Sequence, residues 1–126
     1  MKAFILKEVN DKRVSITPPV AAKLIREGLS VSVEKGAGLE AGFSDEAYSN
    51  AGVTIAERSA AKEADIIFGI SRAEHNLMKE GAIFIAKLDA LTHKDEMLDF
   101  AKSKITAFAL ELIPRISRAQ SMDILS

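Results

Sequence analysis

Pro114-Arg115-Ile116-Ser117-Arg118-Ala119-Gln120-Ser121-Met122-Asp123-Ile124-Leu125-Ser126 concentrates the side chains best able to handle a polar ligand. Two guanidiniums, a carboxamide, a carboxylate and serine hydroxyls stand shortly after the apolar run Ile105-Thr106-Ala107-Phe108-Ala109-Leu110. Arg115, Gln120, Asp123 and Ser126 together offer donors and acceptors matched to a carboxamide and to sugar hydroxyls. Ligands of open α/β sheets bind beyond the carboxyl ends of the strands, which is where a segment after a buried strand lies. The bland alternative is one more helix start, with Asp123 or Ser121 as its cap. The density of functional groups favours a ligand site here, and nowhere else in the chain.

Other motifs carry less. Lys35-Gly36-Ala37-Gly38 holds a G-x-G, but Phe43 and Ser44 stand where the third glycine of a dinucleotide fingerprint and its helix would begin. A turn needing two permissive residues is the better reading. Lys7-Glu8-Val9-Asn10-Asp11-Lys12-Arg13 follows the first strand, so it also lies on a carboxyl edge. A solvated charged loop explains it as well as a site does, and Arg13 is the member able to grip an anion bidentately. His75 and His93 sit in polar helix-start contexts, with no carboxylate spacing that suggests a metal. No phosphate loop, G-x-S-x-G elbow or H-E-x-x-H occurs.

Short apolar runs alternating with capped amphipathic segments must position these groups, and that alternation implies βαβ units. Residues 3–6 read as the first strand. Thr17 offers a hydroxyl cap and Pro18 the first helical position, with Val20, Ala21, Leu24 and Ile25 on one face and Gly28 past the end. Residues 29–33 alternate strictly, as a strand with one wetter face does. Ser44-Asp45-Glu46 starts a short helix that closes at Asn50-Ala51-Gly52. Residues 53–55 form a short strand and 57–63 a short helix. The continuous apolar runs 66–70 and 82–86 are strands buried on both faces, and 105–110 is a third expected in the sheet interior. Thr92 with Asp95 opens a helix through Met97, Leu98 and Phe100 to Ala101. The expected fold is a three-layer α/β domain, Rossmann-like or flavodoxin-like, with a mainly parallel sheet and one domain over 1–126.

Composition limits the function classes. At 126 residues, with 48% hydrophobic and 28% charged residues, the chain has the balance of an ordinary globular domain. A formal net charge of −1 gives no basic field for nucleic acid or an anionic membrane. No cysteine is present, so disulfides, thiolate nucleophiles and sulfur-ligated metals are excluded. Apolar stretches of about seven residues fall short of the ~20 a membrane helix needs, and the amino terminus lacks the form of a signal peptide. A soluble, cytoplasmic domain is expected.

Lys7-Glu8…Arg13-Val14…Thr17-Pro18, Val33-Glu34-Lys35-Gly36-Ala37-Gly38, Phe43-Ser44-Asp45…Tyr48…Ala51-Gly52 and Ala64-Asp65-Ile66-Ile67 resemble the N-terminal lobe shared by alanine dehydrogenase and the α subunit of proton-translocating NAD(P) transhydrogenase. The run from Pro114 to Asp123 is more specific to the transhydrogenase branch. The resemblance implies an oxidoreductase in which hydride passes directly between NAD(H) on this subunit and NADP(H) on a partner domain, coupled to proton translocation by membrane domains. It implies that Asp123 and Ser126 bind the nicotinamide carboxamide. Arg115 would brace Asp123, and Gln120 would reach the nicotinamide ribose and the NADP(H). No side chain would supply a proton in the hydride step, no metal is implied, and the protein's task is orientation. The implied partners are a second, NAD-binding lobe with its G-x-G-x-x-G turn, an NADP(H)-binding domain or β subunit, membrane domains on whose soluble face the subunit sits, and a second copy in a homodimer. The second lobe is absent from these 126 residues, so they are not expected to catalyse alone.

Two alternatives compete. An alanine dehydrogenase lobe would use an Arg, a Lys and a His on its substrate. Arg13 matches the first, but Ser71 stands near where the Lys is expected, and no histidine follows residues 82–86 until His93. Without that histidine, imine chemistry lacks its proton carrier. The other alternative is a non-catalytic α/β interaction module.

Overall fold

Three apolar segments, Ala3-Phe4-Ile5, Ile66-Ile67-Phe68 and Phe84-Ile85-Ala86, have every residue buried, and they form the middle of one six-stranded sheet. The computed structural model describes residues 1–8, 12–70, 75–86, 98 and 100–109. In chain order the strands are β1 (Lys2–Ile5), β2 (Ser30–Glu34), β3 (Thr54–Ala56), β4 (Ile66–Phe68), β5 (Ile83–Ala86) and β6 (Thr106–Ala109). Helix α1 (Pro18–Arg26) and helix α2 (Asp45–Asn50) lie between β1 and β3 in the chain. Short 3₁₀ helices occupy Leu39–Ala41, Arg58–Glu63 and His75–Leu77. The helix start expected at Thr92 and Asp95 lies outside the described residues. The sheet order is β3-β2-β1-β4-β5-β6, and every pairing is parallel.

Alternate residues of the central strands feed two separate cores, because successive side chains of a strand point to opposite faces. Ala3, Ile5, Val31, Val33, Ile66, Phe68 and Ile85 pack with Ala21 and Leu24 of α1 and Tyr48 of α2. Phe4, Leu6, Ile67, Phe84 and Ala86 pack on the other face with Ala61, Ala64, Met78, Phe100 and Ile105. The domain is therefore three-layered, as expected from unbroken rather than alternating apolar runs. On β2 only Val31 and Val33 are buried, so the alternation of residues 29–33 does mark a wetter second face.

Two expectations are corrected. Among the described residues the run at 105–109 lies at the end of the sheet order and not in its interior, with β6 paired to β5, while Leu110 lies outside the described residues. Ile105 is buried, but Thr106 is exposed and Ala107 is half-buried. Apolar character alone did not distinguish an end strand from a central one. The Thr17 side chain also makes no capping hydrogen bond to α1; Pro19 at the second helical position lacks one of the two N–H groups such a cap would serve. Ser44, by contrast, caps α2 by accepting the Ala47 N–H at 3.1 Å. At the far end of α1, Gly28 takes φ +102°, and the Leu29 N–H returns to the Leu24 carbonyl at 3.1 Å, which closes the helix onto β2.

Candidate functional site

Because all six strands run parallel, all their carboxyl ends share one edge, and the chain order reverses there between β1 and β4. From β1 the chain winds out through β2 and β3; from β4 it winds the other way through β5 and β6. The described elements that follow β1 and β4, helix α1 and the segment at Leu77 and Met78, pack on opposite faces of the sheet, and such a reversal is the place where open α/β sheets hold a ligand crevice.

The residues around that crevice are charged and tightly held. Lys7, two residues past β1, donates its backbone N–H to Glu34 Oε1 at 2.9 Å. Arg58 Nη1 donates to the same oxygen at 2.8 Å and to the Lys7 carbonyl at 3.4 Å. Glu8 is only 9% exposed, and its Oε2 accepts the N–H of Ile70, just past β4, at 3.0 Å. Arg13 is exposed, five residues before α1 begins. The charged loop was thus only half legible from sequence: Lys7 is a solvated side chain, whereas Glu8 is buried. The signal available was position, since Glu8 follows by three residues a strand whose last three residues are buried.

A dinucleotide's pyrophosphate rests on a glycine-rich turn and a helix N-terminus directly after the first strand. Here Leu6, Lys7 and Glu8 follow β1, no glycine occurs before Gly28, and α1 begins only at Pro18. The sheet has the strand order of a dinucleotide fold without its phosphate cradle. The G-x-G serves a turn after β2. Gly36 sits at φ +79° and donates its N–H to Asp45 Oδ1 at 2.9 Å, while a β-carbon at Gly38 would stand 2.7 Å from Tyr48 Cε2. Both glycines are therefore required by packing and backbone, and the turn reading of the motif holds.

Buried Tyr48 completes this corner by donating its hydroxyl to the Ile16 carbonyl at 2.7 Å. Burial, aided by the negative charge of Asp45, pushes its phenol up to about 12. On the opposite, amino edge Asp65 joins three strands. Its Oδ2 accepts the Lys2 N–H at 2.8 Å, its Oδ1 accepts from Lys79 Nζ at 2.7 Å, and its carbonyl accepts the Ile83 N–H at 2.8 Å. The Lys2 N–H and then Lys79 hold its carboxyl below the ordinary value.

Arg115, Gln120, Asp123 and Ser126 lie outside the described residues, as do Ser71 and His93. β6 delivers the chain to the carboxyl edge at Ala109, five residues before Pro114. No helix among the described residues is long and apolar enough to cross a membrane.

A family model described as the alanine dehydrogenase/PNT N-terminal domain matches residues 4–126. A curated relative from Rhodospirillum rubrum, a portion of NAD(P) transhydrogenase subunit alpha, is 45% identical over 138 residues, covering 100% of this chain and 36% of that protein. The alanine dehydrogenase of Bacillus subtilis is 33% identical over 109 residues, covering 82% of this chain and 29% of that protein. Among solved structures, the transhydrogenase of Sinorhizobium meliloti superposes with a TM-score of 0.88 at 36% identity, over 99% of this chain and 39% of that one. An L-alanine dehydrogenase shares the fold at a TM-score of 0.80 and 23% identity, over 86% of this chain and 32% of that one. The chain thus spans well under half of each of these relatives. With the strand order, the lack of a phosphate cradle after β1 and the full-length similarity all in agreement, the chain belongs to the alanine dehydrogenase/transhydrogenase N-terminal domain family, on the branch of the transhydrogenase α subunit.

Proposed function

We propose that this domain is the nicotinamide-end lobe of an NAD(H)-binding subunit, in a complex that transfers hydride between NAD(H) and NADP(H) and couples the transfer to proton translocation. The observation that carries the reading is the 45% identity spanning the whole chain with a transhydrogenase α subunit. The charged, glycine-free β1 exit supports the division of labour, since it leaves the pyrophosphate and adenosine ends to a second lobe. The bound nicotinamides supply the chemistry, donating and accepting the hydride.

This chain's residues bind and orient. Asp123 and Ser126 hold the carboxamide, Arg115 braces Asp123 through a charge-assisted pair, and Gln120 reaches the ribose and the facing NADP(H). No side chain carries a proton in the step; holding two rings at reacting distance is the catalytic contribution. An NADP(H)-bearing partner, membrane domains and a second copy of the subunit complete the assembly, with the domain on the soluble face of the membrane.

Exchange of this chain for the matching portion of the Rhodospirillum rubrum subunit tests the reading. The chimera should transfer hydride between NADH and an NADP⁺ analogue when mixed with the remaining subunits. A folded chimera that binds NADH normally yet transfers no hydride would overturn it.

A further inference from the structure

We infer that Glu8 is a positioning residue whose side-chain reach sets the width of the crevice between β1 and β4, and through it the placement of the nicotinamide ring; this rests on the function proposed above. Leu6 N–H to the Phe68 carbonyl, at 2.9 Å, is the last backbone hydrogen bond between the two strands among the described residues. In a parallel ladder each residue of one strand bonds to two residues of its neighbour, so the next bond would run from Ile70 N–H to the Leu6 carbonyl. That bond is replaced: Ile70 N–H donates to Glu8 Oε2 at 3.0 Å. Meanwhile Gly69 N–H stays with β5 through the Ile85 carbonyl at 3.0 Å. The strands therefore separate one ladder step beyond Phe68, and a glutamate side chain spans the opening.

The other flank of the same turn is fixed as well. Glu34 at the end of β2 takes the Lys7 N–H at 2.9 Å and is itself held by Arg58 Nη1 at 2.8 Å. Lys7 is thus tied to β2 through its backbone, and Glu8 to β4 through its side chain. The β1 exit cannot shift toward either neighbour without breaking one of these bonds, and a buried N–H left unpaired at Ile70 would be costly. What the bridge needs is length and an acceptor oxygen. Aspartate lacks the length, whereas glutamine keeps both through its carbonyl oxygen.

The test compares Glu8→Asp with Glu8→Gln in the complete subunit, with single-turnover hydride transfer, NADH affinity and amide exchange at Ile70 as readouts. Misplacement by about an ångström costs on the order of a hundredfold in rate, while in the proposed arrangement the pyrophosphate and adenosine ends are held by the second lobe, away from Glu8. Glu8→Asp should therefore slow transfer by about 10- to 100-fold with NADH affinity within about threefold, and should speed exchange at Ile70. Glu8→Gln should stay within about threefold on each readout. Should Glu8→Asp fail to fold, Glu8→Gln decides alone: retained transfer and Ile70 protection support the bridge. A Glu8→Gln variant impaired as much as Glu8→Asp would show that charge rather than reach matters, and a Glu8→Asp variant like wild type would remove the role. Gln120→Asn is the control. If it slows transfer while Glu8→Asp does not, this inference alone fails; if neither Gln120→Asn nor Asp123→Asn affects transfer, the proposed function fails and takes the inference with it.

Discussion

The ring of Tyr48 lies so close to Gly38 that a β-carbon there would meet Cε2 at 2.7 Å, with the Phe43 carbonyl oxygen at 2.9 Å behind it. The helix α2 can dock only because residue 38 has no side chain. Gly38→Ala should destabilise the domain by about 2–3 kcal/mol, since neither the buried ring nor the backbone can yield cheaply. Gly36→Ala should cost about 1–2 kcal/mol for a different reason, the φ of +79° rather than a clash. Denaturant midpoints of the two variants check the order; a Gly38→Ala protein as stable as wild type would contradict the packing.

Tyr48→Phe should cost about 1–2 kcal/mol near neutral pH, because it leaves the Ile16 carbonyl without its buried donor. Alkaline stability should change as well. Burial and Asp45 raise the folded phenol from 10.0 to about 12, so the unfolded chain releases its proton first. The stabilisation this represents is complete below pH 10 and disappears as the pH climbs toward 12. The gap between wild type and Tyr48→Phe should accordingly narrow over that window, as followed by denaturation at fixed pH.

Asp65 predicts the behaviour at the acid end. Its carboxyl is held below the ordinary 3.8, first by the Lys2 N–H and then by Lys79, so its contribution is present above that value and is lost as the pH falls toward the lowered one. Asp65→Asn should be less stable than wild type at neutral pH and should show a shallower acid decline. Parallel acid titrations of unfolding with identical slopes would show that the exposed pair contributes nothing measurable.

Glu34→Ala should loosen the β1 exit, because it removes the acceptor shared by the Lys7 N–H and Arg58. A loss of about 1–2 kcal/mol is expected, with Glu34→Gln intermediate because its carbonyl can still take the Lys7 N–H. Amide exchange at Lys7 separates the two: it should accelerate in the alanine variant and stay slow in the glutamine variant.

In the complete subunit, Gln120→Asn should slow hydride transfer far more than it weakens NADH binding, on the order of a hundredfold against a few fold, because it sits between the two nucleotides in the proposed arrangement. Asp123→Asn should reduce both, since it alters the carboxamide's acceptor and leaves Arg115 unpaired. The 126 residues by themselves should bind NAD(H) weakly, with no glycine-rich turn after β1 to hold the pyrophosphate. Stopped-flow rates beside calorimetric affinities check all three, and unchanged kinetics for both variants would remove this segment from the site.

The sequence by itself determined the class of fold and most of its pieces. Unbroken apolar runs at residues 66–68 and 83–86 announced doubly buried strands, and Ser44 with Asp45 and Glu46 announced a helix start, because burial on two faces and capping chemistry are local properties. The composition of residues 114–126 also showed a dense cluster of charged and polar groups without any tertiary information. Tertiary structure alone decided the rest. The pairing that puts β1 beside β4 joins residues more than sixty positions apart, and the apolar character of 105–110 could not distinguish the end position that β6 takes among the described residues from a centre. The glycines of the G-x-G acquired their purpose from Tyr48 and Asp45, on a different element. The roles of Glu8 and Glu34 were not legible, because a carboxylate's partners depend on which backbone N–H reaches it, and those of Ile70 and Lys7 arrive only when the sheet assembles.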